Sequence, residues 1–442
     1  MTNVLFLVVD SLRYDAVAGD EVDTSHLDTL AESGVSFTNC FSQGISTAPS
    51  MTSMLTGRYP LDYGGHWFLA ADQPTMAEQF QQNGYMTGAI HSNPNVSRLR
   101  NFHRGFDTFE ENILPYDPDS LIENTPDRLL KYANKLARVL RRTPYLPAKK
   151  VNRNLTEWIR TTEEPWFLWT QYMDTHGPYL PGDDFSYRNK IRAERLWRKA
   201  AVESPEEVTD AEHAELRRNY RLEVEYLDTA IGRFLDRLER DDHLADTIIV
   251  VVGDHGDEFA EHGLYGHKNL PYDELTHVPL IIRFPETVEI DQPAEVNSLV
   301  RCIDILPTML DVVDTDLSEE MRERMEGKSL LPLIQEDQEP SFDVVITEKE
   351  MRSESALRFG FRTRRWKYLY DGKKDEHELY DLENDPEETK DVSDEHDEKM
   401  AEFQELLRER LDTIERTSAD VEVPDINDML GVEKRLEALG YK

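Results

Sequence analysis

The sequence predicts an α/β fold: a mostly parallel central sheet sandwiched by helices, followed by a smaller C-terminal α+β unit. Three observations carry this expectation. Apolar runs such as NVLFLVV (3–9) and TIIVVVG (247–253) are uninterrupted, as strands buried on both faces are. Between such runs lie segments with helical apolar spacing, so strand and helix alternate. Beyond about residue 335 the alternation stops, and VVITEKE, LRFGFRT and WKYLYD read as short antiparallel strands. The expected division is a catalytic α/β domain over 1–334 and an α+β subdomain over 335–442.

Each element follows from local chemistry. Residues 3–9 form a strand ending in Asp10, Ser11, Leu12 and Arg13. An acid directly after a parallel strand lies at the sheet edge where open α/β folds hold ligands. HLDTLAESG (26–34) is a helix with a glycine stop, and VSFTNCF (35–41) is the next strand. It feeds GISTAPSMTSMLTGRYP (44–60), a loop turning into a short helix, with Pro49 in the first turn and Gly57 as a left-handed stop. Thr47 stands at the start of that helix, where unpaired N–H groups and the helix dipole favour an anion. Its hydroxyl either caps the helix or attacks an ester group held there. Residues 75–84 form another helix, stopped by Gly84, and MTGAIH follows as a strand.

Residues 118–160 read as a helical insertion. Nine basic residues and no acid lie between Arg128 and Thr156, a local reversal of sign. Segment 128–153 either pairs with the acidic body or attracts an anionic substrate or headgroup. PWFLWTQYMDTHGPYLPG (165–182) is then a buried strand with Asp174 and His176 at its end, and 184–240 is helical. TIIVVVG ends in Asp254-His255-Gly256-Asp257-Glu258, with His262, His267 and Lys268 in the glycine-rich loop beyond. A carboxylate beside an imidazole at a strand end suits a divalent cation. Asp10 and Asp254, both at strand ends, would repel each other without one. VPLIIRF (278–284) is a further strand, Asp304 opens a helix, and 395–418 is an acidic helix.

Composition narrows the class. The net charge of −38 over 442 residues argues against a nucleic-acid partner, whose phosphates would be repelled. Arginines (34) outnumber lysines (16), and such an acidic, lysine-poor surface resembles that of halophilic proteins, where salt screens self-repulsion. No apolar run approaches the ~18–20 residues of a membrane span. The opening MTNVLFLVV lacks a basic start and a cleavage site, so it reads as a strand and not a signal peptide. Two cysteines, Cys40 and Cys302, are too few for a disulfide framework, and a cytoplasmic address is expected.

With these residues on the page, the chain resembles the sulfatase family of the alkaline phosphatase superfamily. NVLFLVVDSLRYD resembles its first metal strand, STAPSMTSMLTGRYP its nucleophile motif, YMDTHGPY its mid-chain histidine motif and VVVGDHGDEFAEHG its second metal motif. VPLIIR, IDILPTML, KYLYD and ELYDLENDPEE match later landmarks in the same order. The resemblance implies an alkaline phosphatase-like fold, with Asp10, Asp254, His255 and Thr47 around one divalent cation. It further implies Thr47 as nucleophile and His176 with Lys268 or the adjacent His267 as contacts to the ester or proton donors, with Asn93 lining the pocket. The cation would be Ca²⁺ or Mg²⁺ if more oxygens join, and Mn²⁺ or Zn²⁺ if His262 or His267 does.

Two positions depart from the family pattern. Ordinary sulfatases carry Cys or Ser, then Pro two places on and Arg four places on, and the Cys or Ser becomes formylglycine. Here the positions read Thr47, Pro49 and Met51, so formylglycine is not expected, and Ser11 replaces a second acid. The leading expectation is a metal-dependent hydrolase of sulfate or phosphate esters of a small molecule or glycan. The alternatives are a phosphotransferase to an acceptor alcohol and a non-catalytic sulfatase-like binding protein.

Overall fold

A computed structural model describes residues 2–112, 145–181, 186–290, 292, 294–315, 317–335, 340, 342–351 and 356–418. Its centre is a nine-stranded sheet in the order β10 (Ala294–Val296), β2 (Val35–Phe41), β9 (His277–Arg283), β6 (Thr247–Gly253), β1 (Asn3–Val9), β5 (Trp166–Tyr172), β3 (Met86–His91) and β4 (Thr108–Glu111). β11 (Val300–Arg301) also pairs with β2, and β7 (Glu258–Phe259) and β8 (Tyr265–Gly266) form a separate antiparallel pair. Every pairing is parallel except those of β9, which runs against both β2 and β6. The sheet is therefore mostly parallel, as its apolar strands predict.

β1 shows why no polar alternation marks these strands. Val4, Phe6 and Val8 belong to one apolar core, whereas Leu5, Leu7 and Val9 belong to another across the sheet. Helices Thr47–Thr56 and Ile305–Val312 cover the first face, through Met51, Met54 and Leu55 and through Leu306 and Met309. Helices Ala148–Thr161 and Asp210–Arg240 cover the second, through Val151 and Leu155 and through Leu227 and Phe234. Both faces are buried, so period-two patterning is lost.

Gly57 ends its helix in the left-handed region at φ 67°, and Gly84 sits at φ 83°. Gly34 works differently from the expected stop. The helix ends at Glu32, and a Cβ on Gly34 would lie 2.7 Å from the carbonyl oxygen of Ile282 in β9, so close approach explains this glycine. Segment 184–240 contains two helices, Tyr187–Arg198 and Asp210–Arg240. Most of the basic insertion, residues 113–144, lies outside the described residues. Its end forms helix Ala148–Thr161, which buries Val151, Leu155 and Ile159 and exposes Lys149, Lys150 and Arg153.

The C-terminal unit is an antiparallel sheet of β12 (Val345–Met351), β13 (Ala356–Arg362), β14 (Trp366–Asp371) and β15 (Glu376–Asp381). Helix Asp397–Ser418 packs on it through Phe403 and Leu407, against Phe359, Phe361, Tyr368 and Leu379. Thr347 donates to the carbonyl of Ser42 at 2.7 Å and Lys367 to Asp273 at 2.6 Å, tying this sheet to the catalytic domain. Among the described residues no helix is long and apolar enough to cross a membrane.

Candidate active site

Three strand ends and one helix start meet at the carboxyl edge of the large sheet. Val9 lies opposite Gly253 in the β1–β6 register, so Asp10 and Asp254 leave neighbouring strands together. Gln171 comes from β5 on the other side of β1, and Thr47 is the first residue of its helix. Asp10, Asp254, His255 and Gln171 are fully buried, and Thr47 is 3% exposed. Ligating atoms of Asp10, Asp254 and His255 all lie within 4.8 Å of one another.

The imidazole shows whether a cation fits. His255 Nδ1 is 2.8 Å from the carbonyl oxygen of Gly256, a contact that only a protonated Nδ1 satisfies. Nε2 is then an unprotonated lone pair, 3.7 Å from a carboxylate oxygen of Asp10 and of Asp254. It is buried with no hydrogen-bond partner among the described residues. A lone pair facing two carboxylates is repulsive, and a divalent cation turns all three groups into ligands. The residues fit the ion. Without it, burial and then the charge of Asp10 push the Asp254 carboxyl well above the usual carboxylate range. Burial and the neighbouring His267 hold the His255 imidazole down to about 4.

Around the two acids lies a shell of donors. Asp10 Oδ2 accepts from Thr47 Oγ1 at 3.0 Å, Asn93 Nδ2 at 2.7 Å and Gln171 Nε2 at 3.4 Å. Gln171 Nε2 also donates to Asp254 Oδ2 at 2.8 Å. Ser11 holds a left-handed backbone, φ 59°, which aims its N–H at Asp254 Oδ1 (3.1 Å) while its hydroxyl donates to Asp10 Oδ1 (3.1 Å). Such a backbone is strained for a residue with a Cβ, and here it serves the site. Ser11 supplies hydrogen bonds where a second acid would supply charge.

Thr47 does not cap its helix. Its hydroxyl is turned to Asp10, and Ser46, at the N-cap position, makes no side-chain cap. Met51, four places after Thr47, is fully buried in the apolar core and brings no charge to the start of the helix.

Histidines form the opposite wall. The His267 ring lies 4.6 Å from that of His255 and 5.7 Å from that of His176. His267 Nδ1 is 2.9 Å from Asp257 Oδ1, and Asp257 Oδ2 accepts from the Tyr179 hydroxyl at 2.6 Å. Burial alone would raise the Asp257 carboxyl, but its bond to His267 and the nearby imidazoles hold it below the usual range. His176 Nδ1 is 2.6 Å from the carbonyl oxygen of Gly177. Lys268 points elsewhere: its exposed ammonium donates to the carbonyl of Ala201 at 2.8 Å. The structure thus brings His267, and not the Lys268 amine, to the cluster.

Two other singled-out groups have structural partners. Asp174 accepts the N–H of Ala148 at 3.1 Å on both oxygens, anchoring the start of helix Ala148–Thr161. His262 joins Glu258 and Glu274 in a second group of ligand-type side chains. Its Nδ1 faces the Glu274 carboxylate at 2.6 Å and its Nε2 the carbonyl of Glu388 at 2.9 Å, so both nitrogens donate and neither is open to a cation. Sequence reasoning passed over Gln171 and Asp257. A lone amide within the apolar run WFLWTQY was a signal for Gln171. Asp257 stood between two other landmarks of DHGDE, and its role depends on a loop that folds back.

The doubly covered sheet holds this carboxylate–imidazole centre at its carboxyl edge, and similarity to known proteins makes the chain a hydrolase of sulfuric or phosphoric esters. A Sulfatase family model matches residues 2–315, and the model "N-sulphoglucosamine sulphohydrolase, C-terminal" matches residues 260–417. The chain belongs to the sulfatase family of the alkaline phosphatase superfamily, whose members depend on a metal ion. An arylsulfatase of Clostridium perfringens is 25% identical over 476 residues, covering 95% of this chain and 96% of the relative. The phosphonate monoester hydrolase of Agrobacterium radiobacter superimposes with a TM-score of 0.73 at 19% identity, over 93% of this chain and 96% of that one. A structure in complex with its substrate D-glucosamine-2-N,6-O-disulfate superimposes with a TM-score of 0.71 at 19% identity, over 94% and 98%.

Proposed function

We propose that this chain hydrolyses sulfate or phosphate esters of a sugar or polyol in two steps, through an unmodified Thr47. The carrying observation is the Thr47 hydroxyl, 3.0 Å from Oδ2 of Asp10, the carboxylate whose Oδ1 lies 3.7 Å from the orphaned His255 Nε2. Asp10, Asp254 and His255 would hold a divalent cation, with Mn²⁺ or Zn²⁺ suiting the mixed oxygen and nitrogen donors better than Ca²⁺, which takes six to eight oxygens. Such an ion polarises the ester and lowers the pKa of a nearby hydroxyl.

In the first step Thr47 Oγ1 gives its proton to Asp10 Oδ2 and forms a bond to sulfur or phosphorus. The bond from that atom to the alcohol oxygen breaks in line. N–H groups opening helix Thr47–Thr56 face the remaining ester oxygens. His267, oriented through Nδ1 by Asp257, presents Nε2 to the departing oxygen and protonates it, with His176 alongside. In the second step water gives a proton to His267 and attacks the same sulfur or phosphorus atom; the bond from that atom to Thr47 Oγ1 breaks, and Asp10 returns its proton to the threonine oxygen. Similarity to arylsulfatase supports sulfur as the central atom, and the neighbour bound to disulfated glucosamine supports a sugar.

The test is a turnover screen of aryl sulfate, phosphate mono- and diester and phosphonate ester, each with Mg²⁺, Ca²⁺, Mn²⁺ and Zn²⁺. Thr47→Ala is expected to lower the rate by about 10³-fold or more for whichever ester reacts. Full turnover by that variant removes Thr47 as nucleophile.

A further inference from the structure

We propose that Lys349 and Arg358 form a subsite for an anionic substituent, a carboxylate or second sulfate, on the alcohol part of the substrate. This rests on the ester-hydrolase reading above and extends it to substrate choice. Lys349 in β12 and Arg358 in β13 are direct partners in the antiparallel register, so both side chains leave the same face. Like charges placed opposite each other weaken strand pairing. In a chain of net charge −38 with 16 lysines, such a pairing runs against composition.

The face they share is turned toward the catalytic domain. Thr347, two residues before Lys349 on that face, donates to the carbonyl of Ser42, in the segment leading to Thr47. Arg358 Nη1 donates to the carbonyl of Lys268 at 3.0 Å, next to His267. Strand β12 thus touches the segment that leads to Thr47, and the cationic pair lies against the loop that carries His267.

Neither cation is fully matched. Arg358 Nη2 pairs with Asp371 at 3.0 Å, but its Nε is buried without a partner among the described residues. Lys349 Nζ reaches the carbonyl of Asn269 at 3.5 Å, a marginal contact. The acids facing the pair are Asp371, already on Arg358, and Glu258. Glu258 is fully buried, its Oε1 takes the Asn269 amide at 3.0 Å, and its Oε2 has no partner among the described residues. Burial pushes the Glu258 carboxyl up to about 8, which weakens it as a counter-charge near neutrality. Burial and the charges of Arg358 and Lys268 pull Lys349 down to about 7. An arriving anion supplies the missing charge and restores full protonation of the amine.

The experiment compares kcat and KM of wild type, Lys349→Gln and Lys349→Arg on three esters: a hexose monosulfate, the same hexose with a second sulfate, and a monosulfated hexuronic acid. Wild type is expected to favour at least one doubly anionic ester by about tenfold in kcat/KM, through KM. A preference for the disulfate alone identifies sulfate as the group read, and a preference for the uronate alone identifies carboxylate. Lys349→Gln should abolish the preference while Lys349→Arg keeps it. No preference in wild type, or one that survives Lys349→Gln, overturns the proposal. Calorimetric titration with the unsulfated hexuronic acid and with free hexose sulfate separates the two readings. If no ester turns over yet either compound binds wild type and not Lys349→Gln, the subsite stands and hydrolysis fails. Equal binding to both proteins overturns the subsite.

Discussion

Asp10 accepts three side-chain donors on one oxygen, and two of them tie it to other elements: Thr47 to the helix and Gln171 to β5. Gln171 spans both carboxylates, so it orients the pair and offsets part of their repulsion. Replacing it by Leu should weaken divalent-cation binding by about 10–100-fold, measured by calorimetry on purified protein. Unchanged affinity would leave Gln171 with packing alone. Asp257 does comparable work for His267, holding its Nδ1 at 2.9 Å, so that in the proposed mechanism Nε2 faces the ester. Asp257→Asn should slow esters with poor leaving groups by about 10²-fold and spare those with good ones. An equal loss on both would point to a folding defect. At this scale the candidate metal triad was legible because an acid after an apolar strand has one predictable place. That the loop brings the His267 ring and not the Lys268 amine near it was not, because adjacent residues on a loop diverge in ways that only the turn decides.

Among the elements, helix Thr47–Thr56 is the one whose boundaries the chemistry of its residues defines best. Pro49 lies in its first turn and Gly57 closes it at φ 67°. A Cβ at Gly57 would also meet Met325 Cγ at 2.9 Å. Gly57→Ala should therefore cost about 1–2 kcal/mol by urea denaturation from backbone strain alone, and more if Met325 cannot shift. No loss of stability would mean the helix end readjusts freely. β9 marks the opposite case. HVPLIIR is as apolar as its parallel neighbours, and nothing in an uninterrupted apolar run encodes direction. Its reversed insertion between β2 and β6 follows a connection, residues 254–276, that carries no long crossover helix to return the chain for a parallel strand, so tertiary pairing decides its direction.

Over the whole molecule, the two units are joined by buried charge. Asp273, which precedes β9 of the large sheet, takes Lys367 at 2.6 Å and Arg362 at 3.0 Å from the C-terminal sheet. Burial alone would raise its carboxyl, but those two cations hold it well below the usual range. A depressed carboxylate stabilises above its unfolded pKa near 4 and loses that contribution as pH falls through the folded value. Asp273→Asn should cost about 3–5 kcal/mol at pH 7, with Lys367 left buried and under-compensated, and the gap should narrow below about pH 4. His262 has the opposite sign. Against the downward push of burial, Glu274 and the Glu388 carbonyl raise it to about 9, so its contribution is complete below pH 6.5 and fades between 6.5 and 9. Thermal melts across that window should show a shallower decline in His262→Gln than in wild type. The presence of a second unit was visible in the switch from alternating to consecutive strands. The ion pairs that seat it were not, because Asp273 and Lys367 lie 94 residues apart with no pattern linking them.

The separation between Ser11 and the Asp254 oxygen it binds, 243 residues, has a consequence for synthesis. A ribosome adding about 5–20 residues per second takes about 12–50 s to bridge that interval. During it the nascent chain carries the threonine and one acid but neither the second acid nor the imidazole. β1 also lacks β6, the strand beside which its carboxylate is aimed. Metal capture by Asp10, Asp254 and His255 therefore waits until β6 has been made and has paired with β1.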